Sequence, residues 1–135
     1  MGRFGDDGKA FFSAVYQSEV PWEIGDIQPA LKALLTAYPP YGTVLDVGCG
    51  GGDTAIAIGL LGYEVLGIDF VESAIKKAHE KLRCSKNPQP VNIRFICGSG
   101  LRPSAYGKDF GVIIDSGFMH LFDDKELKGY FADIY

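Results

Sequence analysis

A chain of 135 residues, 47% apolar and 22% charged, has the length and composition of one globular domain with its own core. A net charge of −4, with lysines scattered among acids, leaves no basic face for a phosphate backbone, so nucleic acid is not an expected partner. No apolar run is long enough to cross a bilayer and the start, MGRFGDDGKAFF, carries no targeting pattern, so no membrane association is expected and the expected location is cytoplasmic.

The first elements are read in chain order. Residues 1–25 read as an N-terminal cap segment carrying Phe11, Phe12, Tyr16 and Trp22, with an amphipathic helix over part of 9–17. Gly2 is followed by Asp at the sixth position, which argues against myristoylation. In DIQPALKALLTAYPP, Asp26 can cap a helix, Pro29 is tolerated in its first turn, and Pro39 and Pro40 stop it; Leu31, Leu34, Leu35 and Tyr38 are expected to share its buried face. Residues 44–47 read as a buried strand, 54–61 as a helix closed by Gly62, and 64–69 as a second strand, which makes a right-handed parallel unit.

The pattern then repeats. A helix over 72–83 places Ala74, Ile75, Ala78 and Leu82 on one side, opposite Lys76, Lys77, Glu80 and Lys81. NPQP is a loop, 92–97 a third strand, 110–115 a fourth, and a last helix opens at Asp123 with Glu126 placed for a capping box. The three cysteines, Cys49, Cys84 and Cys97, contain no C-x-x-C pair, so neither a disulfide framework nor a metal site is expected and a reducing compartment fits.

Alternating strands and helices imply an α/β fold, a doubly wound and mostly parallel Rossmann-like sheet. Such sheets bind ligands beyond the carboxyl ends of the strands, where strand order reverses. The glycine turn after the first strand lies there. A dinucleotide requires G-x-G-x-x-G, yet Gly48 and Gly50 are followed by Asp53 in place of the third glycine. Asp46 and Asp53 flank the turn, and their carboxylates would repel a pyrophosphate. A cation suits the turn better. S-adenosylmethionine presents an ammonium and a sulfonium where a dinucleotide presents phosphates, and Asp69, about twenty residues past the glycines, stands where ribose hydroxyls need an acid.

The motif VLDVGCGGG followed by VLGIDF resembles the first two motifs of the class I S-adenosylmethionine-dependent methyltransferases, and FGVIIDSGFMHLF resembles their fourth. PWEIGDIQPAL is similar to the corresponding segment of small-molecule members related to the thiopurine and tellurite-resistance methyltransferases. The resemblance implies methyl transfer from S-adenosylmethionine to a small-molecule acceptor. It makes Asp46, Gly48, Cys49 and Gly50 the wall around the amino-acid end of the cofactor, Asp69 the ribose ligand, and Phe70 the neighbour of the adenine. Ser99 and Gly100 stand where the family's third motif has Gly-Asp-Ala, so a hydroxyl replaces a carboxylate near the adenine. Asp115 and Ser116 fall beside the transferable methyl, Trp22 closes the pocket, and Asp115 and His120 are the candidate general bases.

Family members continue past the final helix into further strands, so the resemblance implies missing C-terminal strands, a partial domain over 1–135 and an open edge on the fourth strand. That edge offers a route to a dimer. Plainer readings compete for several residues. Asp46 and Asp69 can be strand-end turn residues, Asp53 a helix cap, Cys49 a small filler, Trp22 simple core, His120 a packed structural histidine and His79 a solvated one. Phe118, Leu121 and Phe122 read as packing rather than as an acceptor pocket. Two other functions compete with the enzyme: a truncated, non-catalytic module for cofactor or partner binding, and an NAD-binding domain.

Overall fold

The computed structural model describes residues 29–85, 91–107, 109–115 and 118–134. The cap segment with its helix and Trp22, the Asp26 cap, the NPQP loop and Ser116 lie outside the described residues, as does the side chain of His120. Along the chain run α1 (Pro29–Ala37), β1 (Thr43–Val47), α2 (Asp53–Leu60), β2 (Val65–Asp69) and α3 (Glu72–Cys84). They are followed by β3 (Ile93–Cys97), a 3-10 turn (Pro103–Tyr106), β4 (Phe110–Asp115), a second 3-10 turn (Phe118–Leu121) and α4 (Asp124–Ile134).

The four strands form one parallel sheet in the order β3-β2-β1-β4. From β1 the chain steps outward through β2 to β3, then crosses to the other side of β1. Strand order therefore reverses between β1 and β4, which is where a doubly wound sheet opens a crevice.

The central strands β1 (TVLDV) and β2 (VLGID) are covered on both faces, which is why they read as apolar runs and not as alternation. Their side chains still divide by parity. Val44 and Val65 join Leu35, Ala55, Ile58, Ala78 and Ile114 in one core, under α1, α2 and α3. Leu45, Val47, Leu66 and Ile68 join Phe118 and Tyr130 in the other, under α4 and the 3-10 turns. Two glycines let α2 sit close to the sheet: a Cβ on Gly52 would lie 2.8 Å from the Phe95 ring, and one on Gly59 would overlap Ile93.

Two helix ends and one helix face bear on the expectations. Gly62, at φ 100, closes α2. Asp123 and Glu126 form the capping box, each side chain accepting from the other's amide, at 2.9 and 3.0 Å. The face of α1 differs from expectation: Leu35 is buried and Leu31 packs against the core, while Leu34 and Tyr38 are 55% and 74% exposed. Leu31 and Leu35 form one i, i+4 line that meets the sheet; Leu34 is turned off that line, and Tyr38 falls beyond the helix end. Among the described residues no helix is long and apolar enough to cross a membrane.

Candidate functional site

The turn after β1 is shaped by Gly48, Gly50 and Gly52, at φ 68, 56 and 85. Three of its amides are already engaged. Cys49 donates to the Ile68 carbonyl at 3.0 Å, Gly50 to Asp69 Oδ2 at 2.9 Å and Gly52 to the Cys49 carbonyl at 3.0 Å. A pyrophosphate needs such amides free, so this turn is poorly equipped to cradle one. Phe118 walls the site: a Cβ on Gly48 would come within 2.8 Å of its Cβ, and one on Gly100 within 3.0 Å of its Cζ. The ring thus spans from the turn after β1 to the turn after β3.

Three carboxylates mark the ends of three adjacent strands. Asp46, in register with Gly67 of β2 and Ile114 of β4, is 3% exposed, and its Oδ2 is buried without a hydrogen-bond partner among the described residues. Burial, reinforced by the charges of Asp69 and Asp115, pushes the Asp46 carboxyl up to about 7. Asp69, 7% exposed, accepts from the amides of Gly50 and Val71, both at 2.9 Å. Burial raises its pKa, and those two amides hold it back. Asp115 accepts from the Met119 amide at 3.1 Å through Oδ1 and from the Tyr130 hydroxyl at 2.9 Å through Oδ2.

Among the described residues no three His, Cys, Asp or Glu side chains converge closely enough to hold a metal ion. The donor set matches an organic cation that also carries hydroxyls. Asp46 has a buried acceptor oxygen that only a donor or a cation can satisfy, and Asp69 retains acceptor positions beyond the two amides. The chemistry of S-adenosylmethionine fits both.

Asp46, Gly48, Gly50, Asp69 and Asp115 are brought together at the carboxyl ends of β1, β2 and β4. The thiol of Cys49 instead turns toward the core and Gly67, and its pKa is raised by burial and by Asp46 and Asp69, so it is a filler with no nucleophilic character. Phe70 is half-buried just past β2. Ser99 is exposed, and its hydroxyl accepts from the Leu101 amide at 3.3 Å, which ties it into its own loop. Gly100 lies buried under Phe118. Phe118 itself belongs to the second core, with Leu121 and Phe122 packed beside it.

Asp53 is not the cap expected of it: the N-cap of α2 is Gly52, and Asp53, in the first turn, pairs with Lys81 of α3 at 2.9 Å. Its charge is therefore largely compensated, and the negative field at the turn comes from Asp46 and Asp69. The close approach normally made by a third glycine is supplied one residue earlier, by Gly52. Sequence reasoning missed Tyr130, whose only signal was a residue with a polar tip on the apolar face of α4.

A family model described as a methyltransferase domain matches residues 44–135. The chain is 31% identical over 110 residues to the 2-heptyl-1-hydroxyquinolin-4(1H)-one methyltransferase of Mycobacteroides abscessus, covering 82% of this chain and 47% of that protein. A solved structure described as "Conversion of a Disulfide Bond into a Thioacetal Group during Echinomycin Biosynthesis" superposes with a TM-score of 0.83 at 33% identity, covering 93% of this chain and 55% of that one. The fold is shared with the glycopeptide N-methyltransferase MtfA in complex with (S)-adenosyl-L-methionine, at a TM-score of 0.65, 21% identity, and 87% and 53% coverage. The chain spans about half the length of the relatives it matches.

Proposed function

This chain belongs to the class I S-adenosylmethionine-dependent methyltransferases, and on that premise we propose that it transfers the sulfonium methyl of S-adenosylmethionine to a small-molecule acceptor. The observation that carries the reading is the orphaned, buried oxygen of Asp46 at the point of strand-order reversal. An ammonium group would satisfy it and stabilise its charge.

In this reading Asp46 and the backbone of Gly48, Cys49 and Gly50 enclose the amino-acid end of the cofactor. Asp69 takes the ribose hydroxyls while its two amide bonds keep it aimed, and Phe70, Ser99 and Gly100 surround the adenine. Bound S-adenosylmethionine supplies a methyl group on a positively charged sulfur, with a neutral thioether as leaving group. The protein's part is alignment and exclusion of water. Asp115 borders the methyl end of the cofactor, and the roles the resemblance gives Ser116 beside the methyl and Trp22 in closing the pocket are part of the same proposal. A thiolate or halide acceptor needs no base; for a hydroxyl or amine, Asp115 or His120 takes the proton. The three cysteines, all free, support a reducing compartment such as the cytoplasm.

Isothermal titration with S-adenosylhomocysteine, using NAD as the comparison ligand, tests the reading. Micromolar or tighter binding of the former, with no heat from NAD, is expected. Binding of NAD alone, or of neither ligand, would overturn it.

A further inference from the structure

At the end of β4 the carboxylate of Asp115 is held on both oxygens, and the second donor, Tyr130, comes from α4 fifteen residues on. Tyr130 is 1% exposed and lies in an apolar cluster with Leu45, Val47, Leu66, Ile68 and Phe118. Phenylalanine would fill that space without bringing a polar atom that must be satisfied, so the buried hydroxyl calls for a role. Its partner supplies one. Burial and the adjacent Asp115 raise the phenol's pKa above its ordinary value, which keeps it a donor at any working pH. The same ring meets Phe118 edge-on, with centroids 5.6 Å apart, and Phe118 in turn lies against Gly48 and Gly100. One side chain thus reaches both the carboxylate and the ring that walls the site.

We propose that Tyr130 is a positioning residue of the cofactor site: its hydroxyl aims the Asp115 carboxylate, and its ring seats Phe118 over the two glycines. The proposal rests on the reading that the ends of β1, β2 and β4 hold S-adenosylmethionine. Tyr130 touches no reacting atom and acts through its two neighbours. A carboxylate offers about four acceptor positions; with one on each oxygen taken by a fixed donor, the others point in set directions. Removing the hydroxyl frees the group to rotate.

The test is titration of S-adenosylhomocysteine into the full chain and into Tyr130→Phe, Asp115→Asn and the double variant, with folding checked by circular dichroism. Tyr130→Phe keeps the ring and is expected to weaken binding about tenfold. Asp115→Asn is expected to weaken it at least as much, and the double variant no more than Asp115→Asn alone, because the hydroxyl works through the carboxylate. Unchanged affinity in Tyr130→Phe, or losses that multiply in the double variant, overturns the proposal. Should Tyr130→Phe fail to fold, Asp115→Asn decides, and unchanged affinity there overturns it as well. If the unsubstituted chain does not bind S-adenosylhomocysteine, the cofactor reading itself fails and the proposal with it.

Discussion

Asp46 and Asp115 end neighbouring strands, yet their surroundings are opposite. Asp46 is almost wholly buried with an orphaned oxygen, whereas Asp115 is half-buried with both oxygens in hydrogen bonds. The first is a place where the fold is left incomplete until something positive arrives. The second is complete before any ligand enters. Stability and function therefore oppose each other on the β1 side of the crevice and coincide on the β4 side.

Asp46→Asn probes that opposition most strongly. It keeps the shape and removes a charge whose pKa rises from 3.8 to about 7 on folding. Above pH 7 the ligand-free variant should gain stability on the order of a few kcal/mol, the relief of the buried charge offset in part by an amide N–H without an acceptor, while losing affinity for S-adenosylmethionine on the order of 100-fold. Thermal melts and titration on one sample measure both, and a destabilised variant would break the comparison. The pH dependence follows from the same shift. Because the folded value lies above the unfolded one, the folded chain holds the proton more tightly, and this contribution to stability is lost as pH rises from about 4 to about 7. The raised pKa of Asp69 acts in the same direction. Melts from pH 4 to pH 8 should show the decline in the unsubstituted chain and a shallower one in Asp46→Asn.

Gly48→Ala comes next. A side chain at φ 68 costs about 1 to 2 kcal/mol, and overlap with Phe118 adds a similar amount, so a loss of about 3 kcal/mol in a denaturant titration is expected. Asp115→Asn should destabilise the ligand-free chain by about 1 to 2 kcal/mol, because its one remaining oxygen can accept from only one of the two donors and its NH2 faces the other. Its sign is opposite to that of Asp46→Asn, and two variants moving the same way would mean that the two carboxylates do not differ. Lys81→Ala, which removes the part-exposed ion pair between α2 and α3, should change stability by about 1 kcal/mol or less in a denaturant titration.

The strands and the acids at their ends were legible because a buried parallel strand writes itself as an unbroken apolar run, and an acid closing such a run is conspicuous. VLDV and VLGID are both of this kind, and the crevice follows from topology once they are placed. Contacts between distant segments were not legible. Asp53 reads as a helix cap because its immediate neighbours allow one, and nothing local discloses Lys81 on the next helix. Tyr130 drew no reading at all, because the partner of its hydroxyl lies fifteen residues upstream on a strand. The misjudged face of α1 has a different cause: periodicity gives the side of a helix that is apolar but not how much of it the sheet can cover.

The two glycines beneath Phe118 differ in what they would allow a descendant of this protein to become. Gly48 holds a left-handed backbone that other residues adopt only with strain, whereas Gly100 does not have a positive φ. Volume can therefore be exchanged between positions 100 and 118, with a larger residue at one compensating a smaller one at the other, while position 48 stays closed to that exchange. A library randomised at all three sites should return paired changes at 100 and 118 and glycine at 48, so the pocket has one wall that evolution can redraw and one that it must inherit.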